Sequence, residues 1–287
     1  MILAHTSEQL KEALSAGRNK GLKIGFVPTM GALHQGHVSL IDKARKTTDV
    51  VVVSVFVNPT QFNNPEDLQN YPRTVDADVM ICKTSGCDVL FMPDESEIYP
   101  DGFQHSIVEL SLGNLGKVME AAYRPGHFEG VVSVVYRLFS IVQPDVAFFG
   151  EKDYQQLLIV TELAKKYFPK TTIQPVDTVR LPDGLALSSR NLRLDEQSRN
   201  QASQIYKGFL KVREFLCDNH SWSQESCFKI FENYLHARAP LLKIEYFLIA
   251  DQRDLSIASP TTPKEELRAF AAVYANNIRL IDNLKLF

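Results

Sequence analysis

Residues 22–27 form an apolar run that stops at Pro28 and Gly31, after which Val38, Leu40, Ile41 and Ala44 recur at helical spacing. The pattern predicts a strand, a glycine-containing turn and an amphipathic helix. Residues 50–57 are apolar and largely β-branched on both faces, as in a strand buried within a parallel sheet, and the run closes at Asn58 and Pro59. A helix predicted over about 74–84 leads to a short strand at 89–92, closed by Pro93. A helix at 128–142 stops before Pro144, a strand at 146–149 ends at Gly150, and Tyr154–Tyr167 reads as helix again. Strand and helix alternate, which is the logic of an α/β sheet.

Between Pro93 and Gly126 the pattern weakens around Pro100, Gly102, Gly113 and Gly116, and so long a connection is expected to act as a cover or lid. After the strand-like 171–179 the character changes. Helical stretches at 195–218 and 223–238 precede strand patterns at 244–250, 269–275 and 278–284. The expected organisation is therefore a first domain over 1–178 and a smaller α+β domain over 179–287. No internal repeat or low-complexity tract interrupts it.

Composition narrows the function classes. The 31 Lys and Arg against 34 Asp and Glu leave a formal charge of -3, too little positive field to hold DNA or tRNA, so a small substrate is expected and nucleic acid is not. Cys82, Cys87, Cys217 and Cys227 contain no C-x-x-C pair and read as reduced, packed thiols. The start has no apolar signal segment, and no run approaches the roughly 18 apolar residues of a membrane span. A cytoplasmic protein without membrane association is the expectation.

The chemistry concentrates where the 22–27 strand turns into its helix, in PTMGALHQGHVSL at 28–40. Ligands of open α/β sheets bind at the carboxyl ends of the strands, where a helix N-terminus offers backbone N–H groups to an anion. Gly36 lets phosphate approach the backbone, and His34 and His37 share one face once the helix has begun, so both can donate to phosphate oxygens. The sequence GEKD at 150–153 repeats this geometry after another strand and adds the ammonium of Lys152. Ser188, Ser189 and Arg190 put two hydroxyls and a forked cation into one short loop, able to close over a triphosphate. Gln61, past the end of the 50–57 strand, and Gln156, in the helix after GEKD, can offer uncharged amides to a substrate with a carboxylate and hydroxyls. Taken alone, Gln156 reads as a solvent-facing helix residue.

H-x-G-H after a strand resembles the signature of the nucleotidyl-transferase superfamily that includes class I aminoacyl-tRNA synthetases. FVNPTQF (56–62), YPRT (71–74), RPGHFEGV (124–131), PDVAFFGEKDYQQL (144–157) and DGLALSSRN (183–191) follow in order. With PTMGALHQGH, this set resembles the pantothenate synthetase (pantoate–β-alanine ligase) family over most of the first 191 residues. The resemblance implies a Rossmann-like parallel sheet with helices on both faces, plus the smaller C-terminal α+β domain carrying the SSRN loop. It also implies ATP-dependent condensation of pantoate with β-alanine, through a pantoyl adenylate that releases AMP and diphosphate.

By the same resemblance His37 is the catalytic histidine, and His34 and Lys152 join it as catalytic residues because they can align the phosphate chain and stabilise its charge. Met30, Gly31, Ala32, Leu33, His34, Gln35, Gly36 and His37 hold ATP, as do Gly150, Glu151, Lys152, Asp153, Val179, Leu187, Ser188, Ser189 and Arg190. Gln61 holds pantoate and borders β-alanine, Gln156 holds pantoate, Mg²⁺ accompanies the triphosphate with no protein ligand assigned, and the chain forms a homodimer. Two positions depart from the family pattern: Leu187 stands for methionine, which conserves apolar volume, and Arg193 for tyrosine. The alternatives are another nucleotidylyltransferase of the superfamily, a tRNA-synthetase-like activator, which the charge disfavours, and a non-catalytic nucleotide sensor.

Overall fold

The computed structural model describes residues 1–219 and 221–287, which form two compact units. The first comprises Met1–Glu151 and Gln155–Asp177, the second Lys152–Tyr154 and Thr178–Phe287.

The first unit is a six-stranded parallel sheet. Its chain runs β1 (Ile2–Ala4), α1 (Ser7–Asn19), β2 (Ile24–Thr29), α2 (Gln35–Thr47), β3 (Val50–Val55), α3 (Pro65–Gln69), α4 (Val75–Thr84) and β4 (Val89–Phe91). It continues through α5 (Glu95–Ile98), α6 (Met119–Tyr123), α7 (His127–Val142), β5 (Val146–Gly150), α8 (Tyr154–Tyr167) and β6 (Thr172–Val176). The strand order is β1-β4-β3-β2-β5-β6. The 22–27 run, read as the first strand, is thus the second. β1 and α1 precede it, and three residues of strand are too short a run for periodicity to reveal.

Alternation along the strands divides the core into two faces. Val27, Val51, Val53, Leu90 and Phe148 pack with Leu40, Ile41 and Ala44 of α2 and with Cys82 of α4. Their neighbours in sequence, Phe26 and Phe149, turn the other way and meet Phe139 of α7 edge-on at 6.1 and 6.3 Å. Helices therefore cover both faces, and strands that are apolar throughout are the consequence.

The 93–126 connection, expected as a cover, is pinned to the body of this unit. The Gln155 amide donates to the carbonyls of Leu115 (2.7 Å) and Val118 (2.9 Å) and accepts the N–H of Glu120 (3.0 Å), while Leu115, Met119 and Glu120 are buried. Side-chain bonds to irregular backbone anchor the segment, and they leave no hydrophobic period to read.

In the second unit, α9 (Glu196–Ala202), α10 (Gln204–Asp218) and α11 (Gln224–Arg238) pack on the antiparallel sheet β7 (Leu242–Asp251), β8 (Leu267–Ala275) and β9 (Ile278–Lys285). Phe231 stacks between Phe209 of α10 and Phe247 of β7, with ring centroids 5.4 and 4.5 Å away. The single helix predicted at 195–218 is two helices. They separate at Ser203, whose hydroxyl donates to the Asn200 carbonyl at 3.1 Å and so competes with the helical ladder. All four cysteines are free thiols, but Cys217 is exposed rather than packed. Among the described residues no helix is long and apolar enough to cross a membrane.

Candidate active site

β2 pairs with β3 on one side and β5 on the other. The chain passes from β2 to β3, so the order reverses between β2 and β5, and such a switch point opens a crevice at the strands' carboxyl ends. The segment leaving β2 there is Met30–Leu33. Gly31 (φ 80°) and Ala32 (φ 48°) both adopt left-handed backbone, free of penalty for glycine and uncommon for alanine. What holds the turn is the buried carboxylate of Asp78 on α4, which accepts the N–H of Ala32 (3.0 Å), the N–H of Leu33 (2.8 Å) and the Thr74 hydroxyl (3.1 Å).

The turn delivers two histidines to the start of α2. His34 is not yet helical: it is the N-cap, with extended backbone (φ -145°, ψ 179°), and its Nδ1 accepts the N–H of Gly36 at 3.1 Å. His37 lies in the first turn and its Nδ1 accepts the N–H of His34 at 3.2 Å. The pair makes a reciprocal capping box, with ring centroids 4.1 Å apart. A ring nitrogen that accepts carries no proton, so each neutral imidazole has its proton on Nε2. Two N–H donors thus accompany the amides and positive dipole end of α2, a combination suited to an anion.

After β3 the chain makes a short 3-10 turn, Pro59–Gln61. Gln61 is only 7% exposed, and its amide nitrogen contacts the Met30 sulfur, so the β2 and β3 loops meet. Asn58 underlies the turn, donating to the Gly130 carbonyl (3.0 Å) and receiving the Thr60 and Tyr99 hydroxyls (both 3.0 Å). Burial raises the Tyr99 phenol from 10.0 to about 12. The Gln61 carbonyl receives His127 Nδ1–H (2.8 Å) and Arg124 (3.3 Å); Arg124 also donates to His127 Nε2 (3.1 Å), which fixes that ring's tautomer. Gly130 of α7 lies so close that a Cβ there would stand 2.5 Å from the Thr60 oxygen and 2.7 Å from the Gln61 nitrogen.

Gln156, also in this unit, is partly buried on α8; the deeply bonded amide is that of its neighbour Gln155. Gly150 and Glu151 belong to the first unit, whereas Lys152 and Asp153 belong to the second. There Lys152 Nζ lies 3.6 Å from an Asp153 oxygen, and its carbonyl accepts the Asn283 amide at 2.9 Å. The Leu187 N–H donates to the Val179 carbonyl (3.0 Å), and Arg180 bridges to Ala186, so Val179 and Leu187 are brought together by a small hairpin. It carries Asp183, which burial would raise but whose bonds to Arg199 (2.8 Å) and the Leu185 N–H hold it below the ordinary carboxylate range. Ser188 then caps the 3-10 turn Ser189–Arg193 by accepting the Arg190 N–H at 3.3 Å, and Ser189 is buried.

Asn58, Arg124 and His127 escaped prediction although their motifs stood in view, and Asp78 lay outside every motif. For Asp78 a signal existed: it lies four residues before Cys82 on the buried side of α4, where a charge requires dedicated partners. Among the described residues, no three His, Cys, Asp or Glu side chains are grouped to hold a metal ion.

A parallel sheet with a switch point, a helix N-terminus furnished with neutral histidines and an amide-lined turn beside it define an α/β enzyme of the nucleotide-binding class. Comparison with known proteins narrows this. The sequence pattern of the pantoate-beta-alanine ligase family matches residues 2–285, and the chain belongs to that family. It is 43% identical over 286 residues to the pantothenate synthetase of Aquifex aeolicus, covering 97% of this chain and 96% of that one. Against that of Bacteroides thetaiotaomicron it is 44% identical over 285 residues, covering 99% of each. The crystal structure of pantothenate synthetase from Thermus thermophilus superposes with a TM-score of 0.91 at 40% identity, covering both chains completely. The Francisella tularensis ligase, complexed with beta-gamma ATP and beta-alanine, gives 0.79 at 39% identity, covering 99% of this chain and 97% of that one.

Proposed function

We propose that this ligase, which joins pantoate to β-alanine at the expense of ATP, works through a pantoyl adenylate. A carboxylate is a poor acylating agent because charge and resonance shield its carbon. Pantoate is ionised at neutral pH, so its oxygen attacks the α-phosphorus without a strong base, and the bond from that phosphorus to diphosphate breaks. The neutral amine of β-alanine then attacks the activated carbonyl, and AMP leaves.

The observation that carries this reading is the histidine capping box. With both Nδ1 atoms accepting from backbone, His34 and His37 carry Nε2–H donors beside the α2 amides, where charge on a phosphate chain is stabilised by hydrogen bonds without proton transfer. In this reading residues Met30–His37, Gly150–Asp153, Val179 and 187–190 serve the nucleotide, with Lys152 and Arg190 following charge onto the leaving diphosphate. Gln61 and Gln156 hold pantoate, and Gln61 borders β-alanine. Magnesium would accompany the triphosphate and supply positive charge there, with no protein ligand assigned. Domains over 1–178 and 179–287 and a cytoplasmic location, both on the sequence pattern, and a homodimer, on the family resemblance, complete the proposal.

Pyrophosphate exchange tests it. Pantoate, ATP and Mg²⁺ without β-alanine should move labelled diphosphate into ATP, and adding β-alanine should yield AMP and pantothenate in equal amounts. Exchange that requires β-alanine would overturn the adenylate.

A further inference from the structure

The second unit contains a buried polar chain that ends on the Lys152 turn. Phe270 of β8 lies opposite Asn283 of β9, so Arg268, two residues before Phe270, projects from the same face as Asn283. Both polar side chains are nearly inaccessible, Arg268 at 5% and Asn283 at 4% exposure. Arg268 Nη1 donates to Asn283 Oδ1 at 2.6 Å, a charge-assisted bond that fixes which end of the amide is the carbonyl. The other end, Nδ2, donates to the Lys152 carbonyl at 2.9 Å. The Arg268 guanidinium also stacks 3.9 Å from the centre of the Tyr154 ring, which meets Phe270 at 5.9 Å. Residues 152–154 are therefore held at both ends by β8 and β9.

The preceding residue of β9 holds the hairpin that leads into 187–190, the other segment of this unit proposed to serve the nucleotide. Asp282 takes both arms of the Arg180 fork (2.6 and 2.9 Å), and Arg180 also donates to the Asn283 carbonyl at 2.9 Å. Arg180 opens the hairpin that leads into 187–190. An apolar pair could close this small sheet at lower desolvation cost than Arg268 and Asn283, so their burial calls for a role beyond cohesion.

We infer that Asn283 is a positioning residue for Lys152, oriented by Arg268, and that the adjacent Asp282 and Asn283 set the register between the Lys152 turn and the hairpin preceding 187–190. The inference rests on the role proposed above for Lys152.

Asn283→Asp is the probe, because it keeps the size and the acceptor for Arg268 while turning an oxygen toward the Lys152 carbonyl. The variant should lose roughly tenfold in kcat, with KM for pantoate within about twofold of the parent. In a Lys152→Ala background the same change should cost less than about twofold, since the group it positions is gone. A thermal melt checks that each protein is folded, and Asn283→Ala replaces the aspartate variant if that one is not. An unchanged kcat, or an equal loss in both backgrounds, would overturn the inference and leave Asn283 a stabilising residue. If Lys152→Ala itself leaves kcat unaltered, the proposed role of Lys152 fails first and the inference with it.

Discussion

The carboxylate of Asp78 accepts the backbone N–H of Leu33 at 2.8 Å, one residue before the first histidine of the capping box. Its other oxygen takes the Ala32 N–H, so one side chain of α4 fixes the turn between β2 and α2. Asp78→Asn keeps one acceptor and sets an NH₂ group against a backbone donor. The fold should lose roughly 1.5–3 kcal/mol, the range for hydrogen bonds to a charged group. Pyrophosphate exchange should fall by more than about tenfold as His34 and His37 leave alignment. Denaturant titration and the exchange assay measure the two effects; full activity in the variant would show that the turn holds without the carboxylate.

Gly130 is the second lever, because there is no room for a Cβ between α7 and the Pro59–Gln61 turn. The atoms it would strike are backbone and cannot rotate away. Gly130→Ala should cost about 1–3 kcal/mol of stability. It should also weaken pantoate binding, by displacing Gln61, more than ATP binding. Calorimetric titration of each ligand separates the two, and equal losses would place the damage in the fold as a whole.

Gln61→Glu changes charge while preserving shape. The glutamate can still accept from Asn58, as the Gln61 oxygen does at 3.4 Å, but it cannot donate, and in the role proposed for Gln61 it would face an anionic substrate. A lost hydrogen bond plus like-charge repulsion should cost on the order of 2–4 kcal/mol. Pantoate affinity should drop roughly 30-fold to several hundred-fold, with ATP affinity little changed. A collapse of ATP binding alongside would remove Gln61 from the pantoate pocket.

Tyr99 offers a pH test, since burial raises its phenol from 10.0 to about 12 while its hydroxyl donates to Asn58. A raised value stabilises the fold below pH 10.0, and that contribution is lost as pH climbs through about 12. Ultraviolet titration should show a late phenol ionisation near pH 12, above the ordinary tyrosines, and Tyr99→Phe should reduce that late step by one phenol, Tyr274 being another that burial raises. A late step of unchanged amplitude would assign it to other tyrosines.

Much of the first unit was legible in advance because its signals are local. Apolar runs ending in Pro or Gly marked β3, β4 and β5, helical spacing marked α2 and α7, and Tyr154–Tyr167 was read to its ends. The candidate residues were legible for a similar reason, since H-x-G-H, GEKD and SSRN are contiguous in sequence and open or follow regular elements. Less visible was the 93–126 segment, whose order comes from side-chain bonds to irregular backbone, as at Gln155. β1 gave no period to count.

The sequence alone determined most strands and helices of the first unit and nominated the residues proposed for phosphate-directed chemistry, because backbone propensity and side-chain type are properties of single positions and short windows. Tertiary structure decided what holds those residues in place. Asp78 reaches its loop across 45 residues, His127 reaches the Gln61 carbonyl across 66 and Asn283 reaches Lys152 across 131. No spacing rule announces such pairs, since a hydrogen bond depends on where two backbones come to lie, and that is fixed only when the cores close around Phe139 in the first unit and Phe231 in the second.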